Sequence, residues 1–131
     1  MAGVPLPEGY HSVNPYIVVD GAEGLIQFLV DVFGAKEIER ELRSDGRIEH
    51  GEVRIGDSIV MLSEATERYP ARPCVQFVYM DDVDATHRAG LAAGASSILE
   101  PADQSWGDRV GGFHDRFDNR WWVATHLRPF S

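Results

Sequence analysis

Apolar runs with strand-like and helix-like spacing follow one another twice along this chain. Tyr16-Ile17-Val18-Val19 is a short β-branched run ending at Asp20. Beyond it, Leu25, Phe28, Leu29 and Val32 fall at i, i+3, i+4 and i+7, which is one face of a helix. Asp20 reads as its N-cap, since a carboxylate accepts an orphan backbone N–H. Gly34 reads as its stop, since glycine takes positive φ without a Cβ penalty. Three strand-like runs come next, Lys36–Arg43, Arg47–Ile55 and Ser58–Ser63, with turn signals at Ser44-Asp45-Gly46 and Gly56-Asp57.

The second half has the same order. Val75–Met80 is a strand ending at Asp81-Asp82. Val83, His87, Gly90 and Leu91 mark a helical face, and Gly94 stops it. Ser97–Leu99, a glycine-rich stretch from Trp106 to His114, and Arg120–Leu127 complete the set, with Asp118-Asn119 as the last turn. The span from Asp20 to Gly34-Ala35 is matched by the span from Asp81 to Gly94-Ala95, one residue shorter. Between the halves, Glu64–Pro73 is polar and holds Pro70 and Pro73, a linker by composition. The pattern predicts an α+β fold class: two βαβββ modules forming curved mixed sheets around a cavity. Module 1 covers about 14–63, the linker 64–73 and module 2 about 74–127, within a single domain of residues 1–131. A four-stranded sheet covered by one helix leaves its other face apolar and open, and such a face is where a small ligand sits.

Composition narrows the function. The net charge of −9 argues against nucleic acid and against an anionic membrane, both of which reward Lys and Arg. No apolar run approaches the roughly 20 residues of a membrane span. The Pro-containing leader Met1–Gly9 has neither the basic cluster nor the apolar core of a secretory signal. A single cysteine, Cys74, excludes an internal disulfide and reads as a buried thiol in a reducing, cytoplasmic setting.

Particular segments carry a family resemblance. They are Phe33-Gly34-Ala35, Asp45-Gly46-Arg47-Ile48 with His50 and Glu52, and Ile55-Gly56-Asp57-Ser58 running into Met61-Leu62. In the second half they are Asp82-Val83-Asp84-Ala85-Thr86, Ala93-Gly94-Ala95, Trp106-Gly107-Asp108-Arg109 with Gly111, and Trp121 with Ala124-Thr125-His126. With them, from about Asn14 to His126, the chain resembles the vicinal oxygen chelate (glyoxalase/bleomycin resistance protein/dioxygenase) superfamily, and within it the PhnB-like branch. That superfamily includes metal-dependent enzymes and non-enzymatic bleomycin-binding proteins, so the fold does not fix the activity.

The resemblance implies a metal held by one residue from the first and one from the last strand of each module, usually His or Glu. Those positions fall on Asn14 or Pro15, on Met61, on Val75 or Cys74, and on Val123. Met and Val do not hold a hard cation, so no metal and no cofactor is expected. If Val123 faces the cavity, strand alternation brings Trp121 and Thr125 with it and sends Trp122, Ala124 and His126 to the helix side. The same rule groups Ile59, Met61 and Ser63, then Asn14, Tyr16 and Val18, and Val75, Phe77 and Tyr79. These mainly apolar and aromatic positions suit a flat organic ligand, or they are simply core.

The polar candidates each have two readings. His50 and Glu52 share a strand face with Arg54. They form either a general base with its orienting carboxylate or an ion-paired surface stripe. Trp106 and Arg109 sit at the cavity mouth, where Arg109 either clamps a carboxylate or phosphonate or pairs with Asp108 or Asp115. His114, Asp115 and Arg116 read as a solvated turn, His11 and His87 as structural. No phosphate loop, nucleophile elbow or paired-cysteine zinc spacing is present, and no glycine motif supports a methyltransferase. The expected function is metal-free binding of a small, aromatic ligand by Tyr16, Met61, Phe77, Tyr79, Trp106, Arg109 and Trp121, with His50 and Glu52 as catalytic candidates if there is chemistry. The alternative is a metal-dependent lyase, isomerase or dioxygenase with atypical ligands. The resemblance also implies a homodimer.

Overall fold

The computed structural model describes residues 3–128. Met1 and Ala2 of the leader and the three residues after Arg128 lie outside the described residues. The elements run β1 (Tyr16–Val19), α1 (Ala22–Phe33), β2 (Lys36–Leu42), β3 (Ile48–Ile55), β4 (Ser58–Glu64), β5 (Val75–Tyr79), α2 (Val83–Ala92), β6 (Ser96–Asp103), β7 (Asp108–His114) and β8 (Arg120–His126). Two four-stranded sheets have the same order, β1-β4-β3-β2 and β5-β8-β7-β6. In each, the first and last strands of the βαβββ unit pair in parallel and the others antiparallel. The repeated element order is therefore a repeated topology, and the fold is α+β as the sequence predicts. No helix among the described residues is long and apolar enough to cross a membrane.

The chain divides into two compact units, one running through Val30 with Gly34–Arg72 and the other combining Asp31–Phe33 with the chain from Pro73 onward. α1 buries Ala22, Leu25, Ile26, Phe28 and Leu29 in the first unit and Val32 in the second, a wider stripe than the four positions read from spacing. Gly34 closes α1 in the left-handed region at φ 66°. The helix start departs from expectation. Asp20 is not the N-cap; Gly21 occupies that position at φ 107° with no side chain to offer. The cap comes from Glu64 at the end of β4, whose two carboxylate oxygens accept from Gly21 N and Ala22 N, each at 2.9 Å. An anion at a helix N-terminus also complements the helix dipole.

In the second unit, α2 is capped locally: Asp82 accepts from Ala85 N at 3.1 Å. Val83, Thr86, His87 and Gly90 are its buried positions, while Leu91, expected on that face, is exposed. β6 extends well past the predicted Ser97–Leu99, through Pro101. Its register against β7 is irregular between Leu99 and Ala102, and an edge strand tolerates a residue that cannot donate to the ladder. The polar segment after β4 is tied to β1, with Ala65 N donating to Val19 O and Arg72 N to Val18 O.

Candidate functional site

The faces of the second sheet follow from what α2 touches. A Cβ on Gly90 of α2 would meet the Phe113 ring at 2.9 Å, and one on Gly111 of β7 would meet His87 of α2 at 3.2 Å. Phe113 and Gly111 therefore point toward α2, and so do their ladder partners on β8, Trp121 and Val123. Trp121 is 0% exposed, donates from Nε1 to Asp115 at 2.8 Å, and lies 5.2 Å from Phe33 within the same unit. Thr125 follows the same side, accepting from Val83 N at the start of α2 at 3.0 Å. This reverses the expected faces of β8. Trp121 and Val123 are core of the α2 side, with Thr125 half-buried beside them, and Trp122, Ala124 and His126 lie on the helix-free side.

That helix-free face is aromatic and half open. Phe77 pairs with Trp122 and Tyr79 with Ala124 in the parallel register, so the side chains share a side. Phe77 and Tyr79 are 48% and 57% exposed, with ring centroids 5.3 Å apart. Gly112 lies beneath Trp122: a Cβ there would stand 2.5 Å from the indole ring. At the Asp108 end of β7, Asp108 is 1% exposed and accepts three hydrogen bonds. The donors are Tyr79 Oη at 2.9 Å and Trp106 Nε1 at 3.0 Å, both to Oδ2, and His126 Nδ1 at 2.7 Å to Oδ1. The bond from His126 holds the Asp108 carboxyl below the usual carboxylate range, with those from Tyr79 and Trp106 adding to it against the opposing effect of burial. The same carboxylate raises the Tyr79 phenol above its ordinary value.

In the first unit, a cleft of about 540 Å³ is lined by Tyr16, Val18, Arg43, Glu49, Ser63, Glu64, Thr66, Arg68 and Tyr69. Its wall includes the segment read as a plain linker. Tyr16 donates to Ser63 Oγ at 3.2 Å, and Met61 is its Cα partner across the β1–β4 ladder. His50 Nε2 and Glu52 Oε2 stand 2.7 Å apart, and the His50 ring is 6.4 Å from that of Tyr16. Glu52 is buried, so the pair is more than a solvated stripe. Arg54 of the expected stripe lies against Gly9.

Arg109 is engaged by two carboxylates. It points toward α2, where Nε and Nη2 fork onto Asp84 at 2.9 and 3.2 Å and Nη1 meets Asp103 at 3.0 Å. Those carboxylates, Asp84 first, raise the guanidinium above its ordinary value. Neither expected partner, Asp108 or Asp115, is involved. Asp115, read as solvated, is buried and accepts from Phe117 N, Asn119 N, Asn119 Nδ2 and Trp121 Nε1. His87 is structural in the sense expected: buried, with Nε2 3.0 Å from Ser97 Oγ. Cys74 is half-buried, and burial pushes its thiol up. By sequence, Asp108 is only a possible partner for Arg109, and Trp122 and His126 are expected on the helix side, so none of the three is a site candidate. The available signal was the Gly111-Gly112 pair, since a glycine inside a strand marks a large group lying across it.

The metal positions implied by the resemblance do not fit a cation. Asn14 is held by the leader, accepting from His11 N at 3.2 Å and donating to His11 O at 2.6 Å. The matching registers Tyr16–Met61 and Phe77–Trp122 make Trp122, not Val123, the counterpart of Met61. An amide, a thioether, an isopropyl group and an indole are not a ligand set for a hard divalent ion. Among the described residues, no three His, Cys, Asp or Glu come together as a metal site.

The sequence model of the Glyoxalase/Bleomycin resistance protein/Dioxygenase superfamily matches residues 10–123. An uncharacterized protein of Mycobacterium bovis is 31% identical over 131 residues, 92% of this chain and 86% of its own length. Among solved structures, TioX from Micromonospora sp. ML1 is similar at a TM-score of 0.70 and 26% identity, over 88% of this chain and 100% of that one. A putative 3-demethylubiquinone-9 3-methyltransferase, PhnB protein, from Bacillus cereus shares the fold at a TM-score of 0.71 and 12% identity, over 88% of this chain and 99% of that one.

Proposed function

We propose, for a chain that belongs to the Glyoxalase/Bleomycin resistance protein/Dioxygenase superfamily, that it binds a small aromatic molecule on the helix-free face of its second sheet and does so without a metal. One observation carries the reading. Phe77, Tyr79 and Trp106 each leave about half their surface open on or beside that face, Trp122 adds a fourth ring, and no described segment buries them. Large exposed aromatic surface is costly to leave in water and marks a binding face. The set Asn14, Met61, Val75 and Trp122, with one amide oxygen and neither imidazole nor carboxylate, supports binding over metal-assisted reaction.

The reading extends to the PhnB-like branch, supported by Trp106-Gly107-Asp108-Arg109 and by the name of one distant structural neighbour. It includes a cytoplasmic setting and a homodimer, with no nucleic-acid or membrane partner, which the net charge of −9 supports.

The test is a thermal-shift screen of flat aromatic compounds, repeated on Trp122→Ala. Stabilisation of the parent that is lost in the variant is the expected outcome. No stabilisation across the panel refutes the reading. A stoichiometric divalent ion in the purified protein favours instead a metal-dependent lyase, isomerase or dioxygenase with His50 and Glu52 in play.

A further inference from the structure

The cleft of about 540 Å³ in the first unit has the size of a small-molecule site, roughly 300–1,000 Å³. Every residue that lines it belongs to that unit. Several donors face it. Arg43 is fixed by one bond, from Nη2 to the Glu64 carbonyl at 2.9 Å, which uses one of the five N–H groups of its guanidinium. Arg68 lies over the Tyr69 ring, with Cζ 5.4 Å from the centroid. Among the described residues neither guanidinium meets a carboxylate, unlike Arg40 and Arg109, which each hold two. Tyr16 donates to Ser63 Oγ at 3.2 Å, and two hydroxyls that share one bond leave a second hydrogen for another acceptor.

Two carboxylates also line the cleft. That of Glu64 is taken by the Gly21 and Ala22 amides at the start of α1, where the helix dipole offsets its charge. Glu49, exposed on β3, is the other. Against it stand two arginines, so the local balance is cationic on a chain of net charge −9. Tyr16 and Tyr69, each more than half exposed, supply ring surface. The loop that carries Arg68 and Tyr69 is closed by Thr66 N donating to Tyr69 O and Tyr69 N donating to Thr66 Oγ1, each at 2.9 Å, and its ends at Ala65 and Arg72 are tied to β1.

We propose that this cleft is a second binding site, one that takes a planar aromatic carboxylate. Arg43 and Arg68 hold its charge, and its ring lies against Tyr16 and Tyr69. A guanidinium fork matches the two oxygens of a carboxylate, and both rings offer flat apolar surface beside it. The spare hydroxyl hydrogen of the Tyr16–Ser63 pair adds a further donor to the same anion. The site goes beyond the second-sheet reading and stands on other residues.

Three probes separate charge from ring: 2-naphthoate, its neutral amide and inorganic phosphate. Calorimetry on the parent protein should give about tenfold tighter binding of the acid than of the amide, the scale of one charge-assisted contact. That preference should shrink as salt rises. Arg68→Gln and Arg43→Gln should each remove most of it. Glu49→Gln should enlarge it, because a like charge leaves the wall. Phosphate should bind more weakly than naphthoate, since it meets the arginines without using the rings. If Arg43→Gln, which loses the bond to the Glu64 carbonyl, does not fold, the exposed Arg68 and Glu49 still decide.

Equal affinity for acid and amide overturns the site, as does a preference that survives Arg68→Gln. Phosphate binding as tight as naphthoate overturns its aromatic half. None of these variants alters Phe77, Tyr79 or Trp122, so a null result here leaves the second-sheet reading standing.

Discussion

Glu64 shows how a single side chain can serve an element remote in sequence. α1 begins at a glycine with nothing to cap it, and the two oxygens of Glu64 take the Gly21 and Ala22 amides at 2.9 Å each. Glu64→Ala should cost about 1–2 kcal/mol in urea unfolding, the usual range for a lost cap, and Glu64→Gln should cost less. Asp20→Ala should be near neutral in the same measurement, because Asp20 does not cap the helix. At acid pH the relevant residues are Asp108 and Asp84. Asp108 is held below its ordinary value by His126, and Asp84 by Arg109. A carboxylate whose folded value is depressed contributes stability that is present above its unfolded value, about pH 4, and lost as pH falls through the folded value. Asp108→Asn and Asp84→Asn should each flatten the acid limb of stability against pH. An unaltered limb in both would show that these contacts do not hold the folded state in solution.

At the scale of elements, β8 carries two adjacent tryptophans with different tasks. Trp121 packs under α2 with Phe113 and Phe33, and its N–H is taken by Asp115. Trp122 lies over Gly112 on the opposite face. Trp121→Ala should therefore cost about 3–5 kcal/mol in denaturant unfolding, as truncation of a buried aromatic does. Trp122→Ala should cost much less and instead reduce the thermal shift given by aromatic ligands. Gly112→Ala tests the same face from below. Its new methyl would stand 2.5 Å from the Trp122 ring, so the ring must move. The variant should copy the ligand defect of Trp122→Ala; unaltered ligand response in both would remove Trp122 from the binding face.

For the whole molecule, chemistry at the metal positions and net charge set the expectations. Purified protein is expected to hold divalent metal well below stoichiometry in elemental analysis, and chelation should leave its melting temperature unchanged. A melting point that falls with chelator would contradict the non-fitting ligand set. Light scattering behind size exclusion should report two chains per particle, the outcome proposed for the assembly; a monomer would remove that part of the reading.

Both βαβββ units were legible in the sequence because their signals are local. Apolar spacing marks α1, glycine at Gly34 ends it, a β-branched run marks β1 and a mainly apolar run marks β5. The chemistry at Met61 and Val75 was legible for the same reason: side-chain type needs no fold. What tertiary structure decided was which way the strands face and which charges meet. β8 has large apolar groups on both sides, so a one-residue difference in parity turns Trp121 from pocket lining into core and brings Trp122 and His126 to the open face. Arg109 has acidic residues on both sides in sequence, yet it pairs with Asp84 on α2, 25 positions away. Asp108 is then left to gather Tyr79, Trp106 and His126. Periodicity fixes which residues share a face of an element; only packing against another element fixes which face is inside.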